Sequence, residues 1–236
     1  MNLILRTLLV WGLGLPVTFI CFTLMIPAYF IDRTGNAAHS IATFWAKAVM
    51  RLAGIKVTMR GAENIPKGVP LIILSCHRGA FDIPALQSVL PVQFRWVAKK
   101  SLFKLPLVGW SMALAGYISI DREKGAAAYR SIDIAAEKIK AGTSVLIFPE
   151  GTRNAGDSLL IFKKGGFTLA EKSGAAIVPV AIKGTEGILK KGGFKITPSP
   201  VCVSIGKPIL PAGRKEKELR EMTREAINAL RRSLLA

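Results

Sequence analysis

The sequence predicts an α/β fold, a mixed sheet flanked by helices and preceded by an N-terminal two-helix membrane element. Three observations predict it. Beyond Gly54, short strand-like runs alternate with amphipathic stretches. From Thr7 to Ile31 no residue is charged, and a run of about 20 apolar residues is enough to cross a bilayer. The 236 residues suffice for one α/β core plus an appendage, so the division falls at residues 1–53 and 54–236.

In the N-terminal unit, one arginine precedes the apolar run, which is too long for the core of a signal peptide. Pro16 and Pro27 each remove a helix hydrogen bond and predict a kink or a turn back within the run. Over residues 38–53, Ile41, Phe44, Trp45, Ala48 and Leu52 share one helical face, and Ser40, Thr43, Lys47 and Arg51 the other. That division describes a helix at the lipid interface, and equally an ordinary core-facing helix. Following an apolar segment, it completes a two-helix anchor.

Strands are expected around Ile55–Met59, Pro70–Ser75, Val92–Val97, Gly116–Ile120, Thr143–Phe148, Ala176–Ile182 and Val201–Ile205. Helices are expected over Pro84–Val89, along Tyr129, Ile132, Ala136 and Ile139 up to Gly142, and over Gly166–Lys172. A last one carries the stripe Leu219, Met222, Ala226, Leu230 and Leu234.

Thirty-three cationic residues against 15 acidic ones give a net charge of +18. Such an excess calls for an anionic partner: nucleic acid, acidic membrane or anionic substrate. The apolar N-terminus turns the choice toward membrane, and no nucleic-acid-binding motif or aromatic stacking platform is present. Cys21, Cys76 and Cys202 are widely spaced and form neither a disulfide framework nor a metal pattern, which fits a reducing compartment. With only two histidines, a zinc site has little basis, and no cofactor is expected.

Two stretches carry chemistry. His77 follows a buried-type strand, and Asp82 stands five positions on, at the start of a helical run. On one continuous helix they would lie about 140° apart. Across a strand-to-helix turn the carboxylate can fold back on the imidazole, orient it and stabilise its charged form. Phe148-Pro149-Glu150-Gly151-Thr152-Arg153 closes another apolar run. Its glycine lets backbone N–H groups approach a ligand, and Arg153 can clamp a phosphate. A strand ending in a turn, with Glu150 and Arg153 as a surface ion pair, is the plainer alternative. Taken together, these groups describe an enzyme that activates a hydroxyl on a phosphorylated substrate. Cys76 reads as buried packing.

In order and spacing, these motifs resemble the lysophosphatidic acid (1-acyl-sn-glycerol-3-phosphate) acyltransferase family of the glycerolipid acyltransferase superfamily. His77 and Asp82 match its first motif, and Gly116 to Arg122 is similar to the second. Phe148 to Arg153 matches the third, and Ile177-Val178-Pro179-Val180-Ala181-Ile182 resembles the fourth. Cys76, Gly79 and Ser119 depart from the family's usual asparagine, hydroxyl residue and aromatic.

The resemblance implies transfer of a fatty acyl group from acyl-CoA or acyl carrier protein to the sn-2 hydroxyl of lysophosphatidic acid, with His77 and Asp82 catalytic. Lys100, Arg122, Glu150, Gly151, Thr152 and Arg153 would bind the acceptor and its phosphate, although Lys99 and Lys100 also read as a solvated charge pair. Membrane lipids would be partners, and the protein would sit on the cytoplasmic face of the inner or plasma membrane. Another lysolipid, such as a lyso-ornithine lipid, or glycerol 3-phosphate is the alternative acceptor. A non-catalytic basic lipid- or nucleic-acid-binding protein is the remote one.

Overall fold

The computed structural model describes residues 3–121 and 126–234. Its first element, α1 (Leu3–Ile31), is one continuous helix, about 44 Å long at about 1.5 Å per residue. The turn back expected at the prolines does not occur. Pro16 and Pro27 both lie on the exposed side, and each forfeits a single backbone hydrogen bond. The opposite stripe, Thr7, Val10, Gly14, Cys21 and Met25, is buried and holds the helix along the domain. Polar ties reinforce this: the Ile196 N–H donates to Thr7 Oγ1 at 3.1 Å and Trp11 Nε1 to the Phe194 carbonyl at 2.7 Å.

Helix α2 (Asn36–Leu52) packs against α1 and α3 (Asp82–Val89). This corrects the expected division of its faces. Trp45 turns to α1, donating to Thr18 Oγ1 at 2.9 Å, and Phe44 alone of the expected apolar face is exposed. His39, Ala46, Val49 and Met50 form the buried side. Thr43, expected in solvent, accepts from Gln87 Nε2 at 2.8 Å. The other Gln87 N–H donates to His39 Nε2 (3.1 Å), and Gln87 Oε1 accepts from Trp96 Nε1 (2.7 Å). Burial, with Arg95 nearby, lowers the His39 pKa to about 4, so this ring is neutral.

All seven expected strands form: β1 (Val57–Arg60), β2 (Leu71–Ser75), β3 (Arg95–Lys99), β4 (Ile118–Ile120), β5 (Val145–Ile147), β6 (Ala176–Lys183) and β7 (Val201–Ile205). They make one sheet in the order β1-β7-β6-β2-β5-β3-β4. Only the β6–β7 pairing is antiparallel. β2 and β6 are apolar at nearly every position because both of their faces are covered.

Connections decide which helix covers which face. From β2 the chain steps through α3 to β3, then through α4 (Val108–Leu114) to β4, always in one direction. It returns through α5 (Ala126–Lys140) to β5 and through α6 (Gly165–Ser173) to β6. Right-handed crossovers therefore put α3 and α4 on one face and α5 and α6 on the other. Helices α1 and α2 join the first layer, and α7 (Glu216–Ser233) joins the second. The direction reverses between β2 and β5, which are neighbours. A crevice opens at such a reversal, beyond the carboxyl ends of the two strands.

Two helices differ in detail from expectation. In α5 the core residues are Ala135, Ala136 and Ile139, while Tyr129 is exposed under the Lys164 ammonium. In α7 the stripe is centred on Leu219, Thr223 and Ile227. Helix α4 and the 3-10 turn Lys100–Lys104 before it were not expected at all.

Candidate active site

His77 follows β2 and the Phe148–Arg153 loop follows β5, so the two motifs meet at the reversal point. Asp82 is the first residue of α3, and its side chain folds back across the turn as its spacing predicts. His77 Nδ1 lies 2.6 Å from Asp82 Oδ2. The same oxygen accepts the backbone N–H groups of Arg78 and Gly79, the latter at 2.9 Å. Asp82 Oδ1 accepts the Thr185 hydroxyl, which arrives from the end of β6. The carboxyl is wholly buried, yet both oxygens are satisfied, which is the condition for keeping a charge there. On His77, Nε2 makes no hydrogen bond to the described residues, and it is the nitrogen left for a reacting proton.

Gly79 has a steric reason. A Cβ there would stand 2.4 Å from the Thr185 carbonyl oxygen, so no hydroxyl residue fits without moving the loop after β6. That loop is tied in by Arg78, whose guanidinium pairs with Glu186 at 3.0 Å. Burial alone would raise the Glu186 pKa, but N–H donors from its own backbone and Gly184, with Arg78, hold it below the usual value.

The imidazole also has a fixed plane. The ring of Phe148 stacks on it with centroids 3.9 Å apart, and Trp96 leans on Phe148 from β3 at 5.5 Å. Cys76 is completely buried, and burial pushes its thiol up to about 12, so it is inert packing.

Glu150 differs from its expected place beside the acceptor. Its carboxylate points inward and is buried: Oε1 accepts the His77 N–H at 3.1 Å, and Oε2 accepts the Leu160 N–H at 2.9 Å. In return the Asn154 N–H donates to the His77 carbonyl at 2.7 Å. Glu150 therefore clasps the two motif loops together, and no surface ion pair with Arg153 forms. Gly151 takes a φ of 72°, a left-handed turn that favours glycine. The turn leaves Thr152 and Arg153 exposed, and Arg153 makes no ion pair with the described residues.

Lys100 opens the 3-10 turn after β3, exposed and 3.4 Å from Asp121 Oδ2. Arg122 lies outside the described residues. Sequence reasoning missed Thr185, Glu186 and Arg78. Their one signal is Gly184-Thr185-Glu186, a polar run directly after the eight-residue buried strand β6. Among the described residues no three His, Cys, Asp or Glu side chains gather closely enough to hold a metal ion.

The arrangement can take a proton at His77 Nε2 and steady the resulting imidazolium through Asp82. Comparison with known proteins agrees with this geometry. A family model described as Acyltransferase matches residues 56–183. The chain is 33% identical over 202 residues to the chloroplastic 1-acyl-sn-glycerol-3-phosphate acyltransferase LPAT1 of Arabidopsis thaliana, covering 83% of this chain and 56% of that one. It is 35% identical over 210 residues to a 1-acyl-sn-glycerol-3-phosphate acyltransferase of Limnanthes alba, covering 88% of this chain and 70% of its relative. Against the plant and algal relatives from Arabidopsis thaliana and Chlamydomonas reinhardtii, the match spans 56% and 65% of their length. The crystal structure of PlsC, the 1-acyl-sn-glycerophosphate acyltransferase of Thermotoga maritima, superposes with a TM-score of 0.85 at 28% identity, over 99% of this chain and 96% of that one. The chain belongs to the 1-acyl-sn-glycerol-3-phosphate acyltransferase family.

Proposed function

We propose that the protein transfers a fatty acyl group from a thioester donor, acyl-CoA or acyl carrier protein, to the sn-2 hydroxyl of lysophosphatidic acid, forming phosphatidic acid. The observation that carries the reading is the His77–Asp82 pair, 2.6 Å apart at the strand reversal and backed by Thr185. The acceptor hydroxyl gives its proton to His77 Nε2 as its oxygen bonds to the thioester carbonyl carbon. The charge collecting on the carbonyl oxygen is left to the backbone donors that follow Gly151, whose own N–H donates to the Phe148 carbonyl at 3.0 Å. The C–S bond then breaks, and the imidazolium returns the proton to the departing thiolate. Asp82 keeps Nδ1 protonated, so that Nε2 has its lone pair free.

Arg153, with Lys100 as a helper, takes the acceptor phosphate: an exposed guanidinium with no ion pair among the described residues, on the loop that meets His77, suits an anionic head group. The acceptor and product are amphiphiles, and α1 supplies a place to meet them. Among the described residues α1 is the one helix long and apolar enough to cross a membrane. Its inner stripe is fastened to the domain from Thr7 to Met25, which supports a reading in which residues 1–53 anchor the 54–236 domain with α1 laid in one leaflet, and we assign that leaflet to the cytoplasmic side.

The test is transfer of a labelled long-chain acyl group from acyl-CoA, and from acyl carrier protein, to lysophosphatidic acid in detergent. Wild type should form phosphatidic acid and His77→Ala should not. Equal product from both would refute the role of His77. Product with lyso-ornithine lipid or glycerol 3-phosphate in place of lysophosphatidic acid would reassign the acceptor.

A further inference from the structure

A segment of which the proposed site uses only Lys100 runs from Lys99, at the end of β3, to Trp110 in the first turn of α4. Within it Leu102, Leu105, Val108 and Trp110 are each between 42% and 54% exposed, and Lys99, Lys100 and Lys104 stand in solvent beside them. The backbone turns at Leu107 with a φ of 60°, in a region that residues with a side chain rarely enter. The turn is held by close packing: a Cβ on Gly109 would stand 2.3 Å from the Phe103 carbonyl oxygen. Four large apolar side chains turned outward in so short a stretch are a costly surface for water, and such a patch marks a contact site.

Two observations say what covers it. First, the ledge is continuous with α1. The Trp110 ring lies 6.0 Å from Phe22, at the edge of the apolar face formed by Phe19, Ile20, Leu24 and Ile26. Second, the same composition recurs at the other end of α1. Phe194 is 73% exposed on a loop with exposed Lys190, Lys191 and Lys195, and Trp11 of α1 donates to its carbonyl. Leucines and tryptophan mixed with lysines match a bilayer interface, where the rings and aliphatic chains enter the acyl boundary and the ammonium groups meet anionic head groups.

Accepting that α1 is embedded, we infer that the Lys99–Trp110 ledge and the Lys190–Lys195 loop are outriggers that dock on the same anionic leaflet, flanking α1 at two points along its length. The ledge leaves the carboxyl end of β3 and the loop follows β6. Those are the strand ends that surround His77. Three attachment points define a plane, whereas α1 alone would let the domain roll about the helix axis. The outriggers turn the mouth of the site toward the head groups, so that a lysolipid reaches His77 without leaving the leaflet completely.

The experiment places single labels on the full-length protein in a Cys202→Ser background, since Cys21 and Cys76 are buried. An environment-sensitive fluorophore is attached in turn at Leu105→Cys, Phe194→Cys, Leu24→Cys on α1 and Ile134→Cys on the opposite layer. The protein is bound to vesicles of phosphatidylcholine and phosphatidylglycerol carrying nitroxide on their acyl chains. The labels at Leu105, Phe194 and Leu24 should lose most of their emission, and Ile134 should keep it. In vesicles lacking phosphatidylglycerol, quenching at Leu105 and Phe194 should weaken more than at Leu24. Quenching at Leu24 alone would overturn the outriggers and leave α1 embedded. No quenching at Leu24, Leu105 or Phe194 would overturn the anchor reading as well. Quenching at Ile134 equal to that at Leu105 would also overturn the proposal, because no face would then be selected.

Discussion

The His77 imidazole lies flat on the Phe148 ring, centroids 3.9 Å apart and planes 7° apart, while its edge is held by Asp82. One contact sets the plane of the ring and the other sets its rotation within that plane, so both degrees of freedom are removed before substrate arrives.

Replacing Phe148 by leucine keeps the apolar volume and removes the stacking surface. An aromatic contact of this kind is worth about 0.5–1.5 kcal/mol. Lost from the transition state, that lowers kcat by up to about tenfold. KM for the acceptor should hardly change, because Phe148 has no group that can hold a phosphate and its contacts are with His77 and Trp96. Initial-rate kinetics check this, and a rise in KM at constant kcat would place Phe148 in substrate binding instead.

Thr185→Val should weaken both fold and turnover. It removes the donor to Asp82 Oδ1, leaving a buried carboxylate oxygen unpaired at a cost of about 1–3 kcal/mol. Thr185→Ser should restore most of the loss, since the hydroxyl is the group that counts. Thermal melts of the three proteins in detergent, beside kcat, make the comparison.

The His77–Asp82 pair was legible because the end of the strand, Ser75, and the start of the helix, Asp82, lie seven positions apart and the hydrophobic pattern marks both. Thr185 was not, because it reaches Asp82 across 103 positions and no local pattern announces that contact. The strands were legible from their apolar runs, but their order was not, since side chains buried on both faces say nothing of which neighbour they pair with. Glu150 was misplaced for a related reason. A carboxylate in a turn reads as exposed, and only the approach of β2 to β5 shows that it is enclosed by backbone donors. At the N-terminus, proline was read as a breaker. The stripe from Thr7 to Met25 outweighs two lost hydrogen bonds by fastening the helix along its length.

His39 gives the pH dependence of stability its sign. Its folded pKa is lowered from about 6.5 to about 4 by burial and by Arg95, so between those values the unfolded chain binds the extra proton. Its contribution is complete above about pH 6.5 and is lost as pH falls toward about 4. At about pH 5 the loss is about 2 kcal/mol. Denaturation in detergent at neutral pH and at about pH 5 should show this fall. His39→Gln, which cannot titrate, should flatten it, and an unchanged slope would move the effect to other groups.

Arg153 and Glu150 stand three residues apart in one loop and should fail in opposite ways. Arg153 is exposed and makes no ion pair with the described residues, so Arg153→Ala should raise KM for lysophosphatidic acid by about tenfold or more, the worth of a charge-assisted contact. Its kcat and melting temperature should be nearly unchanged. Glu150→Gln substitutes an N–H donor where the carboxylate accepts from His77, Asn154 and Leu160, and sets donor against donor in a buried place. It should lower the melting temperature and kcat while leaving KM nearly alone. Paired kinetics and melts of the two variants separate the roles. A KM effect confined to Glu150 would return that residue to the acceptor site and leave the phosphate to the lysines after β3.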